Sequence, residues 1–271
     1  MTTIQEAIAE ASKRIDRFEA KLLLAHCLGV GRTYLITHDK DCLSPTVLQH
    51  YEECVQAREN KMPVPYITGT QEFFGRSFSV TPDVLIPRPD TETLIEFILE
   101  KTSGKGPLSL LDLGTGSGCI AITLALENPS LAVTATDISE KSLSVAKNNA
   151  NQLNANVSFF LGDWFKALTM PKKFDVIVSN PPYIDSQDKH LENLPFEPIG
   201  ALTDGQDGLS HIRHLITEAP KYLRHDGLLA FEHGWDQGAE VRSLFSNSLW
   251  TDIITVKDLG GNDRVTAAIL L

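Results

Sequence analysis

The chain of 271 residues lacks several features that would assign it to a particular class of protein. No apolar run approaches the roughly 20 residues of a membrane-spanning helix. The first ten residues lack the basic and apolar regions of a signal peptide. The four cysteines, at positions 27, 42, 54 and 119, show neither C-x-x-C spacing nor a paired histidine motif. We therefore expect a cytoplasmic protein with reduced thiols and no metal site, disulfide framework or membrane segment.

Positive charge is also scarce. The chain has 24 lysines and arginines against 35 aspartates and glutamates, which gives a formal net charge of −11. Proteins that hold DNA or RNA gain much of their affinity by neutralising phosphates with basic side chains. Nucleic acid is therefore not expected as the main partner, although an acidic, well-solvated surface explains the charge equally well.

The residues that are present fall into three regions. Residues 1–70 show helical spacing without strand alternation, which predicts a small helical bundle. Residues 71–92 are typical of a hairpin connector, and residues 93–271 alternate strand and helix patterns, which predicts an α/β domain. The bundle suits recognition of a partner, though stabilisation of the fold explains it as well. We expect a monomer, because no pattern indicates an obligate dimer.

The α/β region opens with a strand pattern at residues 108–113, followed by a glycine turn and an apolar helical pattern. The turn reads Gly114-Thr115-Gly116-Ser117-Gly118, and glycines allow a backbone to approach a nucleotide closely. A dinucleotide fingerprint would need glycine where the chain has Cys119, which makes a nicotinamide-dependent dehydrogenase the weakest enzyme reading. A simple tight turn also fits this segment.

Two further strand patterns end in polar residues. Asp137 follows residues 131–136, where a carboxylate can accept hydrogen bonds from both hydroxyls of a ribose, but it could also cap a helix that starts near Ser139. After residues 157–161, Asp163 could accept from the exocyclic amine of a base. Trp164 could lie against the ring of that base or could belong to the core.

The most informative segment is Asn180-Pro181-Pro182-Tyr183, which follows the apolar run 174–179. Two prolines cannot continue a strand, so the chain must leave the sheet as a stiff loop at the strand's carboxyl end, where open α/β sheets bind ligands. The loop offers an amide, a carbonyl and an aromatic ring, which together can hold a planar group that bears an NH2. The alternative is a proline-stiffened turn with an asparagine cap.

Together these motifs resemble those of class I S-adenosylmethionine-dependent methyltransferases, and the Asn-Pro-Pro-Tyr loop resembles that of enzymes that methylate planar nitrogens. More narrowly, the chain resembles the release factor glutamine methyltransferases, the PrmC/HemK family. This narrower resemblance covers nearly the whole chain. It extends to the segments at residues 19–26, 65–69, 86–92, 196–198 and 231–234.

The resemblance implies a Rossmann-like sheet with an amino-terminal helical bundle that recognises the substrate. It implies methyl transfer from S-adenosyl-L-methionine, with S-adenosyl-L-homocysteine as product and no metal. The acceptor would be the side-chain nitrogen (N5) of the glutamine in the Gly-Gly-Gln motif of class 1 peptide chain release factors. The implied cofactor-binding residues are Gly114, Thr115, Gly116, Ser117, Gly118, Asp137, Trp164 and Asn180. The implied catalytic residues are Asn180, Pro181 and Tyr183, and these three positions together with Pro182 would bind the substrate.

Two alternatives stay open. Adenine also carries a planar NH2, so the same loop would suit an N6-adenine methyltransferase that acts on nucleic acid, against which the acidic charge weighs. The chain could also be a non-catalytic factor that binds S-adenosylmethionine and associates with translation. The intact glycine turn, Asp137 and Asn180 argue against lost activity.

Overall fold

The computed structural model describes residues 2–168 and 173–271. The chain divides into two compact units, one that ends at Thr70 and one that begins at Gln71. Within the described ranges, no helix is both long enough and apolar enough to cross a membrane.

The unit up to Thr70 is helical. Its first helix is capped by a capping box, in which Thr3 and Glu6 each satisfy a backbone N–H of the other. Ser44 caps the fourth helix by accepting from the N–H of Val47, with Pro45 at the first helical position as the sequence predicts. The helices are α1 (Ile4–Ala11), α2 (Arg17–Leu28), α3 (Arg32–Thr37), α4 (Pro45–Glu59) and α5 (Val64–Thr68).

The core of this unit lies between its helices. Tyr51 on α4 is buried, and its hydroxyl donates a 3.0 Å hydrogen bond to the carbonyl of Ala20 on α2. An ion pair between Arg58 and Glu19 joins the same two helices. The buried apolar side chains of the unit include Ile4, Leu23, Leu24, Leu35 and Val55.

A hairpin of β1 (Thr70–Phe73) and β2 (Arg76–Ser79) follows. A short 3-10 turn at Pro89–Thr91 then leads into α6 (Glu92–Thr102). Asn149, from the helix α8 given below, accepts from the N–H of Ser79 and donates to its carbonyl, which ties the hairpin to the rest of the unit.

The second unit is built on a seven-stranded sheet with the order β5-β4-β3-β6-β7-β9-β8. The first five strands in that order are parallel, and β9 runs antiparallel to both of its neighbours. The strands are β3 (Leu108–Leu113), β4 (Leu131–Asp137), β5 (Val157–Leu161), β6 (Phe174–Ser179), β7 (Leu223–Glu232), β8 (Trp250–Lys257) and β9 (Asp263–Leu270). The helices are α7 (Cys119–Glu127), α8 (Glu140–Leu153), α9 (Ser210–Glu218) and α10 (Gly238–Ser243).

The predicted α/β fold with an amino-terminal helical bundle is confirmed by this architecture. Strand β7 begins at Leu223, which is earlier than its apolar pattern indicates, since that pattern starts near Leu228. The pairing of β7 with β6 shifts register between Leu223 and Leu228. The intervening Arg224, His225 and Asp226 are exposed, so this irregular part of the strand carries no apolar signal.

The strand order positions the site. The chain runs outward from β3 through β4 to β5 and then returns to place β6 on the other side of β3. The carboxyl ends of β3 and β6 diverge at this switch point, where open α/β sheets bind ligands. The register pairs Leu113 with Thr136 and with Ser179, so the motifs that follow these three strands start from one edge of the sheet.

Candidate active site

A cavity of about 450 Å³ opens at the carboxyl edge of the parallel strands. Its volume is within the range of small-molecule binding sites. The glycine turn after β3, the end of β4 and the loops after β5 and β6 line it, together with parts of residues 83–91 and 198–201. Another cavity, of about 580 Å³, lies near the amino ends of β3 and β6, beside Leu108 and Asp175, where no predicted site residue falls. The first cavity is therefore the candidate active site.

The glycine turn uses backbone conformations that favour glycine. Gly114, Gly116 and Gly118 have φ values of 73°, 56° and 82°. Gly118 also lies close to its neighbours, because a Cβ built there would be 2.7 Å from the side chain of Ile122 and 3.1 Å from the Cβ of Ala146. Gly118 thus allows α7 to begin close to α8, whereas Gly114 and Gly116 line the cavity.

A buried carboxyl group stabilises the glycine turn through a hydrogen bond. Asp112, in β3, is fully buried, and its Oδ2 accepts a 2.6 Å hydrogen bond from the hydroxyl of Thr115. Its Oδ1 has no hydrogen-bond partner among the described residues. Burial raises the pKa of Asp112 to about 7, and the nearby charge of Asp137 adds to the shift.

Asp137 links the end of β4 to the glycine turn. Its Oδ2 accepts a 2.8 Å hydrogen bond from the N–H of Gly116, and its Oδ1 accepts one of 2.8 Å from the N–H of Ser139. Burial raises the pKa of Asp137, although these two hydrogen bonds favour its charged form. Ser139, and not Asp137, caps α8, since its hydroxyl accepts from the N–H of Ser142. Asp137 lines the cavity and keeps lone pairs that a ligand hydroxyl can use.

The loop after β5 supplies an aromatic wall. Trp164 lines the cavity, with its indole 3.6 Å from the position that a Cβ on Gly114 would occupy. His211, on α9, also lines the cavity, and its ring centroid is 5.1 Å from that of Trp164. Burial lowers the pKa of His211. Asp163 lines the same wall and pairs with Lys166 at 2.6 Å. No sequence pattern distinguishes His211, because only the packing of α9 brings it to the site.

The Asn-Pro-Pro-Tyr loop leaves β6 at the switch point. The hydroxyl of Ser179 donates a 2.7 Å hydrogen bond to the carbonyl of Leu113, which locks the end of β6 to the end of β3. Asn180 lines the cavity, and its side-chain nitrogen donates to the hydroxyl of Thr91 at 3.2 Å. The amide nitrogen of Asn180 donates and is directed toward Thr91. The side-chain oxygen is therefore the atom that Asn180 can offer to a ligand as an acceptor.

A buried carboxyl group anchors the tyrosine at the end of this loop. Glu232, at the end of β7, is 1% exposed, and its Oε1 accepts a 2.9 Å hydrogen bond from the hydroxyl of Tyr183. Burial raises the pKa of Glu232, whereas the hydroxyls of Thr91 and Tyr183 favour its charged form. Burial also raises the pKa of Tyr183. Tyr183 therefore connects the end of the loop to Glu232, whereas Thr91 holds the amide of Asn180 at its start.

An ion pair joins two further segments of the cavity wall. Arg88 pairs with Glu197, whose side chain is buried, and Glu197 also accepts from the N–H of Ile86 at 3.2 Å. Arg88 and Pro198 line the cavity. These contacts of Glu197 therefore link the loop of residues 185–207, which precedes α9, to the segment that precedes α6.

Most of the predicted site residues come together at this cavity. The residues that line it are Gly114, Thr115, Gly116, Ser117, Asp137, Trp164, Asn180 and Pro182. Gly118, Pro181 and Tyr183 are not among its lining residues: Gly118 packs against α8, and Tyr183 is anchored to Glu232. Thr91 and Glu232 received no role from the sequence, although both lie in segments that carried the family resemblance.

Comparisons of the sequence with known proteins identify its relatives. Residues 89–197 match the family described as "Methyltransferase small domain", and residues 2–69 match "PrmC N-terminal domain". The chain is 41% identical to a release factor glutamine methyltransferase of Bordetella pertussis, with full coverage of both chains. It is 44% identical to one of Neisseria gonorrhoeae, over 93% of each chain.

Solved structures share the fold at low sequence identity. A methyltransferase from Pyrococcus furiosus is 22% identical and matches with a TM-score of 0.54, over 73% of this chain and 90% of that one. A 16S rRNA N2 G1207 methyltransferase of T. thermophilus, in complex with AdoMet and guanosine, is 18% identical. It matches with a TM-score of 0.53, over 74% of this chain and 49% of that one. These similarities support the fold of the second unit.

Proposed function

The chain belongs to the release factor glutamine methyltransferase family, and we propose that it methylates the side-chain N5 of the glutamine in the Gly-Gly-Gln motif of class 1 peptide chain release factors. The methyl donor is S-adenosyl-L-methionine, and S-adenosyl-L-homocysteine is the product. The structural observation that carries the proposal is Asn180, which lies in the wall of the cavity with its nitrogen held by Thr91.

The residues of the cavity fit S-adenosylmethionine. The glycine turn would lie against its backbone, the carboxylate of Asp137 would accept from the ribose hydroxyls, and Trp164 and Asp163 would bind the adenine. The carboxyl groups of the wall also suit a ligand whose sulfur and amino group are positively charged. When bound, this donor supplies a methyl group that is activated by the positive charge on sulfur.

The acceptor is a poor nucleophile, because the lone pair of a carboxamide nitrogen is delocalised into its carbonyl. Among the described residues that line the cavity, none is a base strong enough to remove its proton first. We expect Asn180 Oδ1 and the carbonyl of Pro181 to accept the two N–H groups of the glutamine. These hydrogen bonds would fix the nitrogen in one orientation and stabilise the positive charge that develops on it during transfer. The bond from the donor sulfur to the methyl group breaks as the bond to nitrogen forms, and the nitrogen then releases one of its protons.

Catalysis of this kind depends on a rigid acceptor pair, and the surrounding contacts provide one. Thr91 fixes the amide of Asn180, and the two prolines restrict the loop backbone. At the other end of the loop, Glu232 holds the hydroxyl of Tyr183, and Gln237 donates to the Tyr183 carbonyl at 2.9 Å. In this proposal Tyr183 packs against the plane of the substrate amide and Pro182 keeps the loop stiff.

Partner and location follow from the same proposal. Release factors act in the cytoplasm, so we place the enzyme there, as a monomer whose residues 1–70 contribute to substrate recognition. The curated relatives do not favour N6-adenine methylation, and the net charge of −11 weighs against nucleic acid as substrate. The cavity as described needs no metal for the transfer proposed here.

Mass spectrometry of a release factor tests the proposed function. A class 1 release factor is incubated with the protein and S-adenosylmethionine, and the peptide that contains the Gly-Gly-Gln motif is sequenced. We expect the mass of that glutamine to rise by one methylene unit, and a release factor with this glutamine changed to alanine to stay unmodified. Methyl transfer to duplex DNA, with none to the release factor, would support the adenine reading instead.

A further inference from the structure

Three potential metal ligands meet in the helical unit, whereas the residues of the candidate active site belong to the other unit. Cys27 lies near the end of α2, and His50 and Cys54 lie on α4. One ligand atom from each of the three residues lies within 4.8 Å of both others. His50 and Cys54 are four residues apart, so they share one face of their helix. The linear spacing of the cysteines does not reveal the cluster, because the packing of two helices brings it together.

The geometry of the cluster resembles that of a zinc site before metal enters. The two sulfur atoms are 3.8 Å apart. Two thiolates that each lie about 2.3 Å from a tetrahedral zinc ion are themselves about 3.8 Å apart. The histidine nitrogen is the ligand that must move to bind. The side chain of His50 is exposed, and its ring packs edge-on against that of His26, with the ring centroids 6.1 Å apart.

The helices that carry the ligands are already fixed relative to each other. Tyr51 on α4 bonds to Ala20 on α2, and Arg58 on α4 pairs with Glu19 on α2. Binding would therefore need little rearrangement of the backbone, which lowers its entropic cost. Cys54 is buried and Cys27 half-buried, whereas His50 faces solvent, so an ion can enter from the side of His50.

We propose that Cys27, His50 and Cys54 bind a divalent, thiophilic cation, for which Zn2+ is the best match. Two sulfur ligands and one imidazole suit zinc by ligand type, and water would fill the fourth position on the solvent side. The ion would cross-link α2 and α4 and so stabilise the helical unit. This proposal departs from the sequence-based expectation that the chain holds no metal.

Cobalt uptake by the reduced, full-length protein tests the site. Co2+ that is bound by cysteine produces a sulfur-to-metal charge-transfer band, and Zn2+ should then displace it with a stoichiometry of one per chain. We expect Cys27→Ser and Cys54→Ser to weaken Zn2+ binding by on the order of 100-fold or more. The matched control is Cys42→Ser, since Cys42 is an exposed cysteine outside the cluster and should leave binding unchanged.

His50→Ala keeps the test decisive if a buried cysteine variant fails to fold. Its side chain is exposed, so the helical unit should fold normally while Zn2+ binding weakens by about tenfold or more. Three results would overturn the proposal. They are absence of the charge-transfer band in the natural protein, equal metal affinity in Cys42→Ser and Cys54→Ser, or formation of a 27–54 disulfide with peroxide by a protein that takes up no metal.

Discussion

The hydroxyl of Tyr183 donates a 2.9 Å hydrogen bond to Glu232, whose side chain is almost fully buried. This contact joins the last residue of the Asn-Pro-Pro-Tyr loop to the last residue of β7. At the other end of the loop, the hydroxyl of Thr91 accepts a hydrogen bond from the side-chain nitrogen of Asn180. The loop is thus fixed at one end by Glu232 and at the other by Thr91.

The first prediction concerns this anchor. Tyr183→Phe removes the hydroxyl and leaves a buried carboxyl oxygen with one partner fewer, which should lower the free energy of unfolding by about 1–3 kcal/mol. The turnover rate should fall as the loop loosens, while the affinity for S-adenosylmethionine should stay close to that of the natural protein. Urea denaturation, calorimetry and steady-state kinetics measure these three quantities.

A double-mutant cycle with Glu232→Gln separates the pair from its surroundings. If the contact carries the effect, the two substitutions together should cost less than the sum of their separate costs. Tyr222→Phe serves as the control, because Tyr222 packs against the same core cluster and, in the described part of the chain, has no side-chain hydrogen bond to Glu232. Strictly additive losses would show that Tyr183 and Glu232 act independently.

The second prediction concerns the cofactor. Asp137→Ala removes the carboxylate that would accept from the ribose, and hydrogen bonds to charged groups contribute about 1.5–3 kcal/mol each. The affinity for S-adenosylmethionine should therefore fall by on the order of 10- to 100-fold, as measured by calorimetry. Asp163→Ala, in the loop after the neighbouring strand β5 and already paired with Lys166, should have a smaller effect. Unchanged affinity in Asp137→Ala would remove this residue from the proposed site.

The third prediction concerns pH. The pKa of Asp112 is raised to about 7 in the folded protein, so the native state retains a proton that the unfolded chain has released between about pH 4 and pH 7. Stability should therefore fall as pH rises through this window, by up to roughly 4 kcal/mol from this group. Asp112→Asn should remove that part of the decline, so the variant should gain stability relative to the natural protein as pH increases.

Asp175→Asn provides a control of opposite sign. Burial alone would raise the pKa of Asp175. Hydrogen bonds from Ser109 and the neighbouring Arg224 outweigh this effect and lower the pKa. Its stabilising contribution is lost only as pH falls through that lowered pKa, so this variant should show a constant difference from the natural protein above about pH 5. A pH-independent difference for Asp112→Asn as well would contradict the assignment of the raised pKa.

The fourth prediction compares two glycines of the same turn. Both have positive φ, so alanine at either position should cost about 1–2 kcal/mol of backbone strain. A Cβ on Gly118 would also press on Ile122 and Ala146, whereas one on Gly116 would meet no atom within 4 Å. Gly118→Ala should therefore destabilise the protein by about 1–3 kcal/mol more than Gly116→Ala, as measured by urea denaturation. Equal losses would show that the turn relaxes freely.

Much of this site could be predicted from local sequence. Parallel strands bring their carboxyl ends to one edge, so motifs at residues 114–118, 137 and 180–183 had to lie near one another once the strands were recognised. The alternative interpretation of Asp137, as the cap of the helix near Ser139, is wrong, because Ser139 itself occupies the cap position. Periodicity does not tell these two apart, since both are favoured at caps.

The rest depends on tertiary packing. Thr91 and Glu232 are 141 positions apart in the chain, and each also suits a bland structural role, so nothing local shows that they hold the two ends of the loop at residues 180–183. His211 reaches the cavity only through the placement of α9. Cys27 and Cys54 likewise meet only because α2 packs on α4.

The most direct test of the central claim is the single-turnover rate of methyl transfer to a release factor by Asn180→Ala. Loss of one acceptor for the substrate N–H should slow transfer by roughly 100-fold or more, while the affinity for S-adenosylmethionine stays within about tenfold. Asn151→Ala, an exposed asparagine on α8, is the matched control and should react at the natural rate. A near-normal rate for Asn180→Ala would contradict the account.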